Sequence, residues 1–144
     1  MKKKLILILS LAALAMLPST LCWSQTAEDY YYKANMSLTS GNIAESVSLY
    51  KMAAEKKPGF FEAYLGLSIA YRELGSYEEA HKAILKVLEI KPDYYQVYYN
   101  LGLILEKQGN KQQAIKAYER FLDKVPGASS FTDVKQRIAR LKAS

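Results

Sequence analysis

Residues 75–92 read GSYEEAHKAILKVLEIKP, and the same arrangement of glycine, apolar residues and proline recurs at residues 41–58 (GNIAESVSLYKMAAEKKP) and 109–126 (GNKQQAIKAYERFLDKVP). The three glycines and the three prolines are each spaced 34 residues apart in this chain of 144 residues. Two independent markers with one spacing indicate an internal repeat of a stacked supersecondary unit. The marker positions divide the chain into units at 27–60, 61–94 and 95–128.

Each unit predicts two helices joined by a turn at the glycine. Apolar residues recur at helical spacing on both sides of that turn, in the second unit at Tyr64, Leu67, Tyr71, Ala80, Ile84 and Val87. A glycine that follows the last apolar residue can take the left-handed conformation that ends a helix. The proline at the end of each unit lacks the N–H donor that would continue the second helix.

The residue after each glycine predicts an N-cap for the second helix. Asn42, Ser76 and Asn110 stand at this position. The residues three positions later are Glu45, Glu79 and Gln113. This pattern is typical of a capping box, so we expect one in each unit, contributing about 1 kcal/mol per helix.

The pattern resembles the tetratricopeptide repeat family over about residues 27–128. The third unit matches the family positions with Tyr98, Leu101, Gly102, Gly109, Ala114, Tyr118 and Pro126, and the second with Tyr64, Leu67, Ser68, Tyr71, Gly75, Ala80 and Pro92. The first unit diverges, because Lys33 and Ser37 replace the family's Leu and Tyr. The resemblance implies an all-α, right-handed superhelical solenoid of three helix-turn-helix repeats, in which a divergent terminal repeat is expected.

The end of the chain predicts a capping helix at about residues 130–142. Phe131, Val134, Ile138 and Leu141 form a one-sided apolar stripe, and basic residues occupy the other positions. Such a helix covers the last repeat and presents a polar face to water. The domain organisation predicted here is therefore residues 1–24 as a signal and residues 25–144 as the repeat domain.

Small residues predict the places where helices approach most closely. Ala34, Ser68 and Gly102 occupy one position of the repeat. A glycine inside a helix costs about 1 kcal/mol relative to alanine, so we expect tight packing at Gly102 to offset that cost.

Residues 1–24 predict a secretory signal peptide. Three lysines near the start precede an apolar run at residues 5–17, and Pro18 precedes a short segment of mostly small or polar residues. The apolar run has 13 residues, whereas a membrane-spanning helix needs roughly 20. We expect cleavage between Ser24 and Gln25, and the basic start is typical of bacteria, so the expected destination is the periplasm or the exterior.

Two alternatives for the N-terminus stay open at this point. Cys22 follows the apolar run as a lipidated cysteine would, although Leu21 stands where a lipobox has a small residue. The second alternative is an uncleaved membrane anchor. We expect contact with a membrane only in these two cases.

Charge and composition exclude several classes of function. The formal charge is +6, from 20 Lys and Arg against 14 Asp and Glu, and cleavage after residue 24 removes three lysines and leaves +3. That excess is too small to predict a nucleic-acid-binding face. The single Cys and single His exclude a disulfide framework and a zinc site built from Cys and His.

The sequence predicts no enzyme, no cofactor and no metal site. No nucleophile elbow, phosphate loop or His-Glu-x-x-His segment is present. His81 lies among Glu78, Glu79 and Lys82, where it is either a general base or metal ligand or a solvated surface histidine. We favour the surface histidine, because charged residues at helical spacing are typical of a solvated face.

The resemblance implies a binding groove on the concave side of the first helices. The positions that line it in the family give the predicted partner-binding residues Tyr31, Asn35, Leu65, Ile69, Arg72, Tyr99, Leu103 and Glu106. The middle of this strip is apolar and aromatic, with charges toward one edge, as expected of a contact site. The alternative is that the capping helix or a second copy of the chain covers the strip.

The leading hypothesis is a non-enzymatic, exported scaffold that binds a segment of a protein or peptide partner in this groove. Relatives that hold the acidic C-terminal tails of heat-shock chaperones use a carboxylate clamp, of which only Asn35 is present here. Tyr31, Gly66, Gln96 and Asn100 replace its other residues. The rival hypothesis is a structural subunit of an envelope complex or a homo-oligomer, and a weaker one places the basic C-terminal helix on an anionic membrane surface.

Overall fold

The computed structural model describes residues 25–127 and 131–143, and within these ranges the chain forms seven α-helices and no strand. The helices are α1 Ala27–Thr39, α2 Ile43–Lys56, α3 Phe61–Glu73, α4 Tyr77–Ile90, α5 Val97–Lys107, α6 Lys111–Lys124 and α7 Phe131–Ala143. They pack as three consecutive pairs, each pair contacts the next, and α7 packs on α6. The predicted all-α solenoid of three helical repeats and a final helix is confirmed. The predicted signal peptide lies outside the described residues.

The turn inside each repeat is closed by the backbone. Gly41, Gly75 and Gly109 have φ values of 81°, 76° and 78°, in the left-handed region that glycine adopts without strain. In the second repeat the Gly75 N–H donates to the Arg72 carbonyl at 3.0 Å, and the Ser76 N–H donates to the Tyr71 carbonyl at 2.9 Å. These two bonds form a Schellman motif, and the other two turns repeat it.

The predicted capping boxes after these glycines are wrong. The side chains of Asn42, Ser76 and Asn110 make no capping hydrogen bond. Their ψ values are 64°, 67° and 62°, and the following N–H donates back to the glycine carbonyl at 2.9–3.0 Å. A capping side chain needs an extended N-cap backbone, and this tight inverse γ-turn replaces it.

A capping box does occur, at the start of α1. The Thr26 hydroxyl accepts from the Asp29 N–H at 3.1 Å, and the Asp29 carboxylate accepts from the Thr26 N–H at 2.9 Å. The bond from the Thr26 N–H lowers the pKa of Asp29. Thr26 has an extended backbone with ψ 169°, which is the conformation that the predicted caps lack.

The prolines end the second helices as predicted. α2, α4 and α6 each stop two residues before Pro58, Pro92 and Pro126. The residue before each proline leaves the helical region, as Lys57 does with φ −139° and ψ 87°. The proline ring excludes the α conformation at that position.

The core runs through the stack as three clusters of buried residues. Tyr64 of α3 borders all three clusters and so joins them. Tyr50, Ile84 and Tyr118 occupy one repeat position on the second helices and are at most 1% exposed. Val134 brings α7 into the same core, where it is fully buried.

Two tyrosine rings lie directly on glycines of neighbouring helices. A Cβ atom added at Gly102 would stand 2.3 Å from Cε1 of Tyr118, and one added at Gly66 would stand 2.3 Å from Cε1 of Tyr50. Both rings are fully buried, so neither can move aside. The predicted tight packing at Gly102 is therefore explained by the Tyr118 ring.

We expect Gly102→Ala to destabilise the fold although alanine favours helices. Overpacking of a buried contact costs about 1–3 kcal/mol, more than the roughly 1 kcal/mol that alanine gains over glycine in a helix. Thermal unfolding should show a midpoint lowered by several degrees, and Gly102→Leu should lower it further. Gly59→Ala is the matched control, because no atom lies within 4 Å of its added Cβ. An unchanged midpoint for Gly102→Ala would contradict this account.

Candidate functional site

The eight predicted partner-binding residues lie on the first helices of the three repeats. α1 contacts α3, and α3 contacts α5, so these helices line one side of the stack. We call the set the inner surface, and each of its members is half-buried: Tyr31, Asn35, Leu65, Ile69, Arg72, Tyr99, Leu103 and Glu106. Each of these side chains is packed against its neighbours on one side and accessible to a ligand on the other, so together they form a surface of fixed shape.

In the first repeat, the buried Tyr50 supports the inner surface. Its hydroxyl donates to the Asn35 side-chain oxygen at 2.6 Å, and its ring centroid lies 5.9 Å from that of Tyr31. The Tyr31 ring also packs on Phe60, at 5.1 Å between centroids. Burial, with a smaller contribution from Tyr31, raises the pKa of Tyr50 to about 12, so the hydroxyl remains a donor at physiological pH.

In the second repeat, the inner surface is apolar with one partnered charge. Leu65 is partly buried against the core of repeats 2 and 3, and Ile69 is half-buried one turn further along α3. Arg72 donates to the Glu73 carboxylate at 2.8 Å and to the Asn100 side-chain oxygen at 3.5 Å. The second bond links α3 to α5, so Arg72 serves packing between repeats as well as the surface.

In the third repeat, α7 engages two of the predicted residues. The Tyr99 hydroxyl donates to the Asp133 carboxylate at 3.3 Å. Glu106 accepts from the Tyr118 hydroxyl at 2.9 Å and from Arg137 at 3.1 Å. The alternative that the capping helix covers the strip therefore applies at Tyr99 and Glu106. The accessible inner surface centres on repeats 1 and 2 and on Leu103.

The ion pairs of α7 are the site feature that sequence reasoning missed. Arg137 binds Asp133 at 2.8 Å as well as Glu106, and Arg140 lies 3.6 Å from Glu106. The hydrogen bond to Asp133 is the largest of the effects that raise the pKa of Arg137. The spacing of Asp133 and Arg137 at i and i+4 was a readable signal. The second partner, Glu106 on α5, lies 31 residues before Arg137, and no local spacing predicts that pair.

The basic residues of α7 have partners within the chain. Lys142 pairs with Glu119 at 3.0 Å, and the Lys135 ammonium lies 4.4 Å from the Phe131 ring centroid. With Arg137 and Arg140 paired to acids, the helix is held to the last repeat by its own charges. This arrangement favours the packing role of α7 over contact with an anionic membrane.

Gly66 explains why a carboxylate clamp does not form in the second repeat. The resemblance implies an asparagine at this position in clamp-containing relatives. The Tyr50 ring fills the space where any side chain at Gly66 would begin. The departure from the clamp is therefore imposed by the core, and a substitution at Gly66 would not restore it.

The described residues include neither a cluster of metal-ligating side chains nor a helix that could span a membrane. His81 is half-buried on α4. Within residues 25–127 and 131–143, no three or more His, Cys, Asp or Glu side chains are grouped so that they could hold a metal ion. In the same ranges, no helix has the length and apolar character that crossing a bilayer requires.

The family model of the tetratricopeptide repeat matches this chain over residues 31–95 and again over residues 65–129. The chain belongs to the tetratricopeptide repeat family. An uncharacterized protein of Methanocaldococcus jannaschii is 29% identical over 63 residues, which are 43% of this chain and 73% of the relative. The 34-residue unit of the sequence is therefore the repeat of this family.

Solved structures share the same tetratricopeptide repeat fold at low identity. The first repeat domain of Spaghetti, bound to an HSP90 peptide, has a TM-score of 0.77 and 22% identity, covering 84% of this chain and 96% of its own. The yeast Sti1 domain in complex with an Hsp70 segment has a TM-score of 0.75 and 18% identity, covering 81% of this chain and 95% of its own. MamA has a TM-score of 0.76 and 23% identity, and the match covers 83% of this chain and 68% of the MamA chain.

We expect Glu106→Gln to loosen α7 from the repeat stack. The change weakens charge-assisted hydrogen bonds worth about 1.5–3 kcal/mol at a carboxylate that is only 22% exposed. Hydrogen exchange of the α7 amides should become roughly tenfold faster, since local opening follows the local free energy.

Glu119→Gln is the matched control for this experiment. It breaks the ion pair between Glu119 of α6 and Lys142 of α7, whose two side chains are more than half exposed. Exposed pairs contribute about 0–1 kcal/mol, so exchange in α7 should change little. Equal effects of the two substitutions would show that Glu106 has no special part in holding α7.

Proposed function

We propose that this tetratricopeptide repeat protein is a non-enzymatic scaffold whose inner surface binds a segment of a partner polypeptide. The observation that carries the proposal is the half-buried apolar pair Leu65 and Ile69 on α3, between α1 and α5. Apolar surface flanked by polar groups is a common contact site. The Spaghetti and Sti1 domains, which share the fold, hold segments of heat-shock proteins, and this supports a polypeptide as the class of partner.

The partner segment that fits this surface is apolar or aromatic, in an extended or helical conformation. Tyr31 offers a ring that is fixed against Phe60 and Tyr50, and rigid aromatic side chains are effective anchors. Arg72 is already bound to Glu73 and Asn100. An acidic C-terminal tail would therefore find neither the clamp nor an unpartnered arginine at Arg72.

We also propose that the protein acts after export, in the periplasm or outside a bacterial cell, and as a membrane-attached form only if Cys22 is lipidated or the signal is retained. The support is the order of basic, apolar and small residues in residues 1–24. Intact-mass spectrometry of the protein recovered from its cells tests this. Removal of residues 1–24 supports export, and an unchanged N-terminus without lipid contradicts cleavage.

Ile69→Ser should weaken partner binding while the fold stays intact. A photo-crosslinking amino acid at position 69 identifies the bound polypeptide, and titration with that polypeptide measures affinity. We expect at least a tenfold loss for Ile69→Ser, because burial of one large apolar side chain contributes about 1.5–3 kcal/mol.

Leu85→Ser is the control, since Leu85 is an exposed apolar residue on α4, away from the inner surface. The two variants should have the same helical circular dichroism and thermal midpoint within a few degrees. Equal affinities for the Ile69 and Leu85 variants, or crosslinking at position 85 alone, would rule out the inner surface as the binding site.

A second candidate function, a self-associating structural subunit, is favoured by the outer face of α1. Tyr32 and Met36 are 66% and 55% exposed there. The residues 34 positions later, Gly66 and Ala70, are buried against α2, and Ile104 is buried one repeat further on. The face that joins repeats 2 and 3 to the preceding repeat is thus left exposed at Tyr32 and Met36, with no helix of the described residues packed on it.

Sedimentation of the exported chain separates the two candidate functions. A scaffold that binds through its inner surface sediments as a monomer at all concentrations. A structural subunit forms a concentration-dependent oligomer, and Tyr32→Ser should shift it toward the monomer by removing the largest exposed ring. An oligomer that persists in this variant would exclude the α1 face as its interface.

A further inference from the structure

Two grooves on the side of the second helices are lined by residues at the same repeat positions. Each has a volume of about 240 Å³. We call them outer groove 2 and outer groove 3, after the repeat that forms the floor. The floor of outer groove 3 consists of Tyr98, Leu101 and Leu105. The floor of outer groove 2 lies 34 residues earlier, at Tyr64, Leu67 and Tyr71. The grooves are therefore a product of the repeat, separate from the inner surface.

The rim of outer groove 3 is basic. Lys116 and Arg120 of α6 line it together with His81 of α4. The Arg120 guanidinium lies 4.7 Å from the Tyr98 ring centroid, which holds it over the aromatic floor. No Asp or Glu is among the described residues that line this groove. The rim thus presents two positive charges beside an apolar floor.

Outer groove 2 has a weaker version of the same chemistry. Lys82 and Lys86 line its rim, but Glu79 stands where outer groove 3 has Gln113. The Lys86 ammonium is also bound to Glu89 at 2.8 Å. The two grooves therefore share their volume and the repeat positions of their floors, with Tyr71 in place of Leu105, and differ in charge. This difference provides an internal comparison within one molecule.

The depth of outer groove 3 favours a protein partner over a membrane or a nucleic acid. Tyr98 and Leu101 are each 9% exposed and Leu105 is 3% exposed, so nothing apolar protrudes that could insert into lipid. A phosphate backbone would contact the rim and leave the floor unused. The volume is below the roughly 300–1,000 Å³ of small-molecule sites and suits one or two entering side chains.

We propose that outer groove 3 binds an acidic segment of a partner protein, with an apolar side chain on the Tyr98 floor and a neighbouring carboxylate against Lys116 and Arg120. Opposite charges across an interface select the partner and speed its association. A guanidinium fixed over a ring is suited to a carboxylate, because it keeps its charge and its planar donors. The surface is distinct from the inner surface and differs from it in requiring negative charge beside the apolar side chain of its ligand.

The first test uses the difference between the two grooves. A short fluorescein-labelled peptide, GSEFELEFEGS, is titrated with the full chain and followed by fluorescence anisotropy. Gln113→Glu places in outer groove 3 the acid that outer groove 2 carries, and should weaken binding about fivefold to tenfold through like-charge repulsion. Glu79→Gln makes the reverse change and should leave the affinity equal or higher. Both residues are exposed, so the fold should be unaffected.

The second test separates a specific site from general electrostatic attraction. The double variant Lys116→Glu and Arg120→Glu should weaken binding by at least tenfold, because it turns the rim acidic. The control variant, Lys33→Glu and Lys111→Glu, makes the same change in net charge at exposed residues outside the groove. It should change the affinity less than about twofold. Equal losses in the two double variants would overturn the proposal.

Further outcomes distinguish the partner class and the two surfaces. The peptide GSKFKLKFKGS should not bind, and equal binding of both peptides, or of neither, would overturn the proposal. Phosphatidylglycerol vesicles or an oligonucleotide that bind through Lys116 and Arg120 in place of the acidic peptide would also overturn it. Ile69→Ser should leave the acidic peptide unaffected. If it abolishes binding instead, the peptide occupies the inner surface, and the outer-groove proposal fails while the proposed function stands.

Discussion

The contact on which the rest of the structure depends is a buried tyrosine ring lying on a glycine. Tyr50 does this at Gly66, between repeats 1 and 2, and Tyr118 does it at Gly102, within repeat 3. Each ring sets how closely two helices approach, and each hydroxyl then donates to a residue of the inner surface. Because burial raises the pKa of both hydroxyls, they stay protonated donors. Core spacing and the placement of surface polar groups are thus controlled by the same side chains.

The three repeats have diverged in what they offer to a partner. The first presents a fixed aromatic surface, the second an apolar strip, and the third gives Tyr99 and Glu106 to the attachment of α7. Arg137, Arg140 and Lys142 of α7 pair with acidic residues of the last repeat. The basic rim that remains beside an apolar floor lies on α6, around Lys116 and Arg120. One small solenoid therefore carries an apolar inner surface on its first helices and, on another side, a groove between α5 and α6 with a basic rim.

Most of the fold could be predicted because it follows from periodicity. The 34-residue spacing of glycine and proline determines where helices begin and end, and the structure has a left-handed glycine and an extended pre-proline residue at those places. The predicted capping boxes do not form, because backbone hydrogen bonds close each turn without a side chain. The role of Glu106 could not be predicted, because its partner Arg137 meets it only through the packing of α7. A repeat frame assigns a residue to a face and leaves unknown which later helix reaches that face.

The backbone closure of the turns has a consequence for how such a protein changes over time. The three joints within repeats use main-chain hydrogen bonds and a glycine, with no side-chain contribution from Asn42, Ser76 or Asn110. The residues that follow the turn glycines can consequently vary in polarity without weakening the packing of the helices. Duplication or loss of a whole unit then requires no new turn chemistry, only a neighbour whose first helix packs on the second helix before it. The number of repeats can for this reason change readily during evolution. The residues that contact a ligand can change independently on each repeat.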